Sequence, residues 1–98
     1  MRAELACEAI QRGCCLELYH GGWTRTVEVH AVGYARNQEL VMRVWQTRAS
    51  RNAMEAAGWK LLRLEDIDRA DICGTLSEAP RIGYNRDDEA MARIICRV

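Results

Sequence analysis

Between Trp23 and Gln46 the chain alternates apolar and polar residues in two successive runs, W-T-R-T-V-E-V-H-A-V-G-Y and E-L-V-M-R-V-W-Q, separated only by Ala35-Arg36-Asn37-Gln38. A period of two sends successive side chains to opposite faces of an extended strand, so the runs predict an antiparallel, half-buried pair. In the first, Val27, Val29 and Ala31 share one face and Thr26, Glu28 and His30 the other. In the second, Leu40, Met42 and Val44 oppose Val41, Arg43 and Trp45. One face suits a core. The other carries Arg, His and Trp, and calls for a functional explanation.

The flanking segments extend this sheet. Arg2 to Arg12 is amphipathic, with Leu5, Ala6, Ala9 and Ile10 on one stripe and Glu8 four residues before Arg12, and Gly13 offers the left-handed position that ends a helix. Cys14 to Tyr19 alternates, and the Gly21-Gly22 pair that follows His20 suits a tight hairpin turn into Trp23. Gly33, inside the long strand, marks a bulge or bend. After Gln46 the alternation stops, and Ser50 is placed to cap one helical turn through Ala57, ended by Gly58. Strand character returns at Trp59 to Leu64 and, past a bend at Glu65-Asp66, at Ile67 to Cys73. Gly74 to Tyr84 holds the only proline, Pro80, and reads as a loop across the surface. Asn85 with Asp87, Asp88 and Glu89 has the form of a capped helix start, predicting a short helix to about Ala92. Arg93 to Val98 fits a closing strand, and a continuing helix fits the same residues.

A chain of 98 residues buries one modest core. The expectation is therefore a single domain, residues 1–98, with a helix at 1–13, strands through 14–73, and a loop, short helix and closing segment at 74–98. Its class is mainly β (α+β): a small, strongly bent antiparallel barrel of about five strands, with an N-terminal helix and a short C-terminal one.

Fourteen basic and fourteen acidic residues cancel, which excludes a global field that would drive the chain onto nucleic acid or an anionic membrane. Charge is uneven locally. Trp23 to Arg63 holds six Arg and one Lys against three Glu, whereas Glu65 to Asp71 holds four acids and one Arg. The five cysteines, Cys7, Cys14, Cys15, Cys73 and Cys96, are odd in number and lack any C-x-x-C or Cys/His metal spacing, so the expectation is five reduced thiols and no metal. No apolar segment resembles a secretion signal or a membrane span, which together with free thiols predicts a cytoplasmic protein.

An initial A-I-x-R-G, a strand ending L-x-L-Y-H, then R-T-V-E-x-H and later W-K-L-L-R-L-E-D-I-x-x-A appear in that order from about Ala9 to Ile72. This order resembles the WYL-domain family, in particular its short stand-alone members. The resemblance implies an SH3-like (Sm-like) β-barrel and a sensor of nucleic acid or nucleotide-like ligands. The tripeptide that names the family would fall near Glu39-Leu40-Val41-Met42, where this chain has no aromatic residue.

Arg25, Arg43 and Arg63 come from three different predicted strands, and guanidinium forks recognise phosphate. Tyr19, Trp45 and Trp59 are candidates to stack a base beside them, and His30 lies on the same predicted face as Arg43. These seven form the expected ligand-binding set. Three phosphate contacts would give a log–log salt slope of roughly −2 for single strands and nearer −3 for duplex DNA. The competing account makes Trp45 and Trp59 core or subunit-interface residues and pairs the arginines with Glu17 and Glu28. His20 and His30 lack ligand-spaced partners, and Ser50 and Ser77 lack an adjacent base, so neither an enzyme nor a bound cofactor or metal is expected. The expected partner is an oligonucleotide or nucleotide-like ligand, or further copies of the chain in a homo-oligomer, and not a membrane.

Overall fold

The computed structural model describes residues 1–49 and 57–98. The expected helical turn at Ser50 lies outside the described residues. The chain runs α1 (Ala3–Arg12), β1 (Cys14–His20), β2 (Trp23–Tyr34), β3 (Leu40–Ala49), β4 (Gly58–Arg63), a 3-10 turn (Leu64–Asp66), β5 (Ile67–Leu76) and β6 (Arg93–Arg97). All recorded strand pairings are antiparallel, in the order β4-β3-β2-β1-β5, with β6 on β2 beyond the end of β1. The fold is mainly β with one N-terminal helix. Among the described residues no pairing joins β4 to β5, so the sheet is open at these two edges.

The turns follow the sequence signals. Gly13 closes α1 at φ 64° and ψ 31°, its N–H bonding the carbonyls of Ala9 and Ile10. Gly21 and Gly22, at φ 62° and 80°, set the hairpin register that pairs His20 with Trp23. The main core lies between α1 and one face of the sheet, where Ala6 and Ala9 meet Leu16, Leu18, Val27, Val29, Val32, Met42, Val44, Leu62, Leu64 and Ile67.

A bulge in β2 changes which residues share a face. Val29 pairs with Val44 and Ala31 with Arg43, leaving His30 as the extra residue. Ala31 consequently joins Val41 and Met91 in a second, smaller apolar cluster instead of continuing the Val27 and Val29 row. Strict alternation from the sequence had put Ala31 on the main-core face.

Three further expectations are corrected. Among the described residues the strands number six rather than about five, because Arg93–Arg97, where a closing strand was one of two readings, pairs with β2. No short C-terminal helix forms: residues 85–92 are turns, with Asn85 Oδ1 accepting from Asp87 N–H and Asp88 drawn into an ion pair with Arg43. The local helix signal loses to a contact 45 residues away. The five thiols are not all free, since Cys7 and Cys96 form a disulfide with Cα atoms 5.9 Å apart. The helix crosses the sheet beside β6 and brings them together despite a separation of 89 residues, and Cys14, Cys15 and Cys73 remain free thiols. The inference from five reduced thiols to the cytoplasm loses its premise. Among the described residues no helix is long and apolar enough to cross a membrane.

Candidate ligand cleft

The sheet face opposite α1 is covered by a strap, residues 77–92, which joins β5 to β6 and includes a cis Ala79–Pro80 bond. Register brings three aromatic or carboxylate side chains into a row beneath it, Glu28 opposite Trp45 and Trp45 opposite Trp59. The indoles of Trp45 and Trp59 meet edge to face at 5.3 Å between centroids. The His30 and Trp59 rings pack edge to face at 4.6 Å between centroids, and His30 lies 5.0 Å from Tyr84, which the strap supplies. Aromatic pairs at these spacings favour such tilted arrangements because ring edges are positive and faces negative.

Glu28 and His30 are fully buried and hold the strap down. The Glu28 carboxylate accepts from Arg81 Nε at 2.7 Å, Arg81 Nη2 at 3.2 Å and the Glu78 N–H at 2.7 Å. Burial by itself pushes this carboxyl up, but the Arg81 and Glu78 hydrogen bonds and the guanidinium charge together carry it below the ordinary carboxylate value. His30 Nε2 accepts the Arg81 N–H at 3.0 Å, which leaves the ring proton on Nδ1 to be donated to the Glu28 carbonyl at 3.0 Å. The imidazole is therefore held neutral. Burial draws its pKa down, outweighing the opposite pull of the Glu28 hydrogen bond and charge. The His30 carbonyl also accepts from Tyr84 OH at 3.0 Å and the Val98 N–H at 2.9 Å.

Beside this strut the strap and the sheet enclose a cleft of about 270 Å³, lined by Arg43, Trp59, Gly83, Tyr84, Asn85 and Asp88. Arg43 donates to Asp88 through Nε at 2.6 Å and Nη2 at 3.1 Å, and Asp88 also accepts from the Ala90 N–H. The Arg43 hydrogen bonds, outweighing burial, keep the Asp88 carboxyl below its ordinary value. Arg43 Nη1 has no partner among the described residues, and no acceptor among them takes the Trp59 indole N–H. Gly83, at φ +92°, lets the strap approach the indole, because a Cβ there would lie 3.3 Å from Trp59 Nε1. Trp59 and Tyr84 present roughly parallel planes, 28° apart with centroids at 6.3 Å.

The seven residues expected to bind ligand are thus dispersed. His30, Arg43, Trp45 and Trp59 share the strapped face, Arg43 and Trp59 line the cleft, and His30 and Trp45 support it from behind, with Arg81 lying 5.5 Å over the Trp45 ring. Arg25 lies elsewhere, bonded to the buried Gln46 Oε1 at 2.9 Å and stacked over Trp23. Arg63 contacts three carboxylates, Glu39, Glu65 and Asp66, at 3.0 to 3.2 Å. Tyr19 lies at the far end of β1 under the Arg69 guanidinium. The three arginines therefore do not make one phosphate cradle. The arginine pairing expected with Glu28 comes from Arg81, a strap residue. Arg81, Gly83, Tyr84 and Asp88 were missed as site residues because a nonperiodic loop gives no sign of which sheet face it will cover.

Among the described residues no group of three or more His, Cys, Asp and Glu side chains is placed to hold a metal ion. Comparison with protein-family models, with characterised proteins and with solved structures finds no match for the chain.

Proposed function

We propose that this chain is a non-enzymatic ligand-binding or regulatory module of the WYL-like kind, and that its ligand is a nucleobase or nucleotide-like group seated in the strap cleft. The fold part of that reading, a small SH3-like barrel, draws support from five consecutive antiparallel strands that bend round one core until β5 lies beside β1, preceded by a helix. The ligand part rests on one observation: Arg43 Nη1 and the Trp59 indole N–H have no acceptor among the described residues, and both side chains line a cleft with an aromatic wall. A planar heterocycle with a carbonyl edge takes both hydrogen bonds and packs on Tyr84.

Phosphate contributes little in this account. Asp88 already neutralises Arg43, and three carboxylates surround Arg63. Binding should therefore vary weakly with salt, with a slope magnitude of about 1 or less rather than the 2 to 3 of a three-phosphate site. The test is calorimetric titration with nucleosides, nucleotides and short single-stranded oligonucleotides across a salt series. Trp59→Phe keeps a ring against His30 and Trp45 but removes the N–H, and should weaken binding about five- to tenfold. No binding of any of these ligands by the unaltered chain refutes the proposal.

A further inference from the structure

Among the described strands the longest unpaired edge is β5, at the opposite end of the strand order from β4. β5 pairs with β1 on one side, and among the described strands none lies on its other side. At the ends of the strand the Ile67 N–H bonds the Leu64 carbonyl, the Ile67 carbonyl accepts from the Met1 ammonium and the Leu76 carbonyl from Cys15 Sγ; between them residues 68–75 present one row of backbone donors and acceptors with no strand beside it among the described residues. Register places Asp71 directly opposite Glu17 and Arg69 directly opposite Tyr19 on the sheet face away from α1. Two carboxylates facing each other across strands repel. Among the described residues Glu17, Asp71 and Arg69 make no ion pair, and the Arg69 guanidinium rests 5.2 Å over the Tyr19 ring.

We propose that β5 pairs antiparallel with β5 of a second copy of this chain, about a two-fold axis through Ala70. In that register Arg69 of each copy stands opposite Asp71 of the other. Each Asp71, crowded by Glu17 on one side, gains a guanidinium on the other, and the row across the junction reads Glu17, Asp71, then Arg69 and Tyr19 of the second copy. Alanine on the axis keeps the centre free of bulk. Moving the axis one residue in either direction sets Arg69 against Arg69 or Asp71 against Asp71. Edge charges ordinarily keep sheets apart. Here their order blocks both neighbouring registers and favours the one between them, giving an isologous contact that closes at two copies.

Sedimentation velocity across the widest accessible concentration range tests this, with disulfide-linked species excluded by non-reducing electrophoresis. The unaltered chain should show a reversible monomer–dimer equilibrium. Arg69→Asp and Asp71→Arg should each weaken the dimer roughly tenfold or more, while the double variant, with the charges exchanged, should restore it. Thermal melts of dilute samples should show the single variants as stable as the parent. For the parent alone, amide exchange should slow with rising concentration along β5 and not along β4. A chain that stays monomeric, single variants that dimerise like the parent, an exchange of charges that fails to restore association, or concentration-independent exchange in β5 would each overturn the proposal.

Discussion

Replacing Gly33 by alanine should loosen β6 from β2. Gly33 is buried and pairs with Val41 of β3 on one side and Ile94 of β6 on the other. A Cβ at this position would overlap the carbonyl oxygen of Arg93 and lie 3.0 Å from Met91 Sδ and 3.1 Å from Ile94 Cα. The methionine sulfur ends a flexible side chain and can yield, but the Arg93 and Ile94 backbone yields only if β6 moves. Overpacking of this kind costs about 1–3 kcal/mol, and one or two displaced ladder hydrogen bonds add about 1 kcal/mol each. The sum, about 2–5 kcal/mol, lowers Tm by roughly 8–25 °C for a chain of this size. Chemical denaturation measures the loss, and amide exchange at Ile94 and Cys96 locates it. Since Cys96 is bonded to Cys7, the strand stays tethered even when unpaired, so exchange should accelerate there before the main sheet opens. A Gly33→Ala variant within about 0.5 kcal/mol of the parent, with β6 still protected, would show that the close approach does not hold this strand in place.

Thiol titration of the denatured, unreduced chain should find Cys14, Cys15 and Cys73 only, and all five cysteines after reduction; five before reduction would refute the disulfide. Replacing Cys7 and Cys96 by serine frees a closed loop of 89 residues and should cost up to about 4–5 kcal/mol in the chain-entropy account, read as a lower denaturation midpoint. Stability should also fall with acid in two stages. His30 is held neutral with its pKa below the ordinary 6.5, so the unfolded chain takes up a proton first and stability declines as pH drops below about 6.5, by at most about 1.4 kcal/mol per pH unit for one proton. Glu28 and Asp88, both held below their ordinary values, contribute stability that is present above about pH 4.5 and is lost as pH falls further. His30→Gln should flatten the upper stage alone in denaturation curves across pH. An unchanged upper stage in that variant would remove His30 from the account.

The strands were legible because their information is local. Period-two runs at Cys14, Trp23, Glu39, Trp59 and Ile67 meet turn residues at their ends, and Gly13, Gly21 and Gly22 adopt the positive φ angles their positions require. Gly33 was readable as a special position, though not as the point where β6 presses on β2. What escaped was set by contacts distant in sequence. Asn85 to Glu89 has the composition of a helix start, but Arg43 claims Asp88 and the segment stays in turns. Cys7 and Cys96 carry no spacing signal because a helix crossing a sheet, not a motif, makes them neighbours. The face of Glu28, His30 and Trp45 was legible as unusual. That Arg81 and Tyr84 would close over it was not, because a loop without periodicity does not declare where it lands.

The bond between Cys7 and Cys96 also decides how the molecule responds to force. Tension applied through chain lying before residue 7 and after residue 96 passes from sulfur to sulfur, so the loop between the two cysteines carries none of it. Among the described residues every strand pairing lies inside that loop except the end of the β6 ladder, where Ala31 pairs with Arg97 and Val32 with Cys96 itself. With the bond intact the sheet is mechanically short-circuited and extends by almost nothing under load. Once it is reduced, the same pull acts directly on α1 and β6, the two elements the bond had joined.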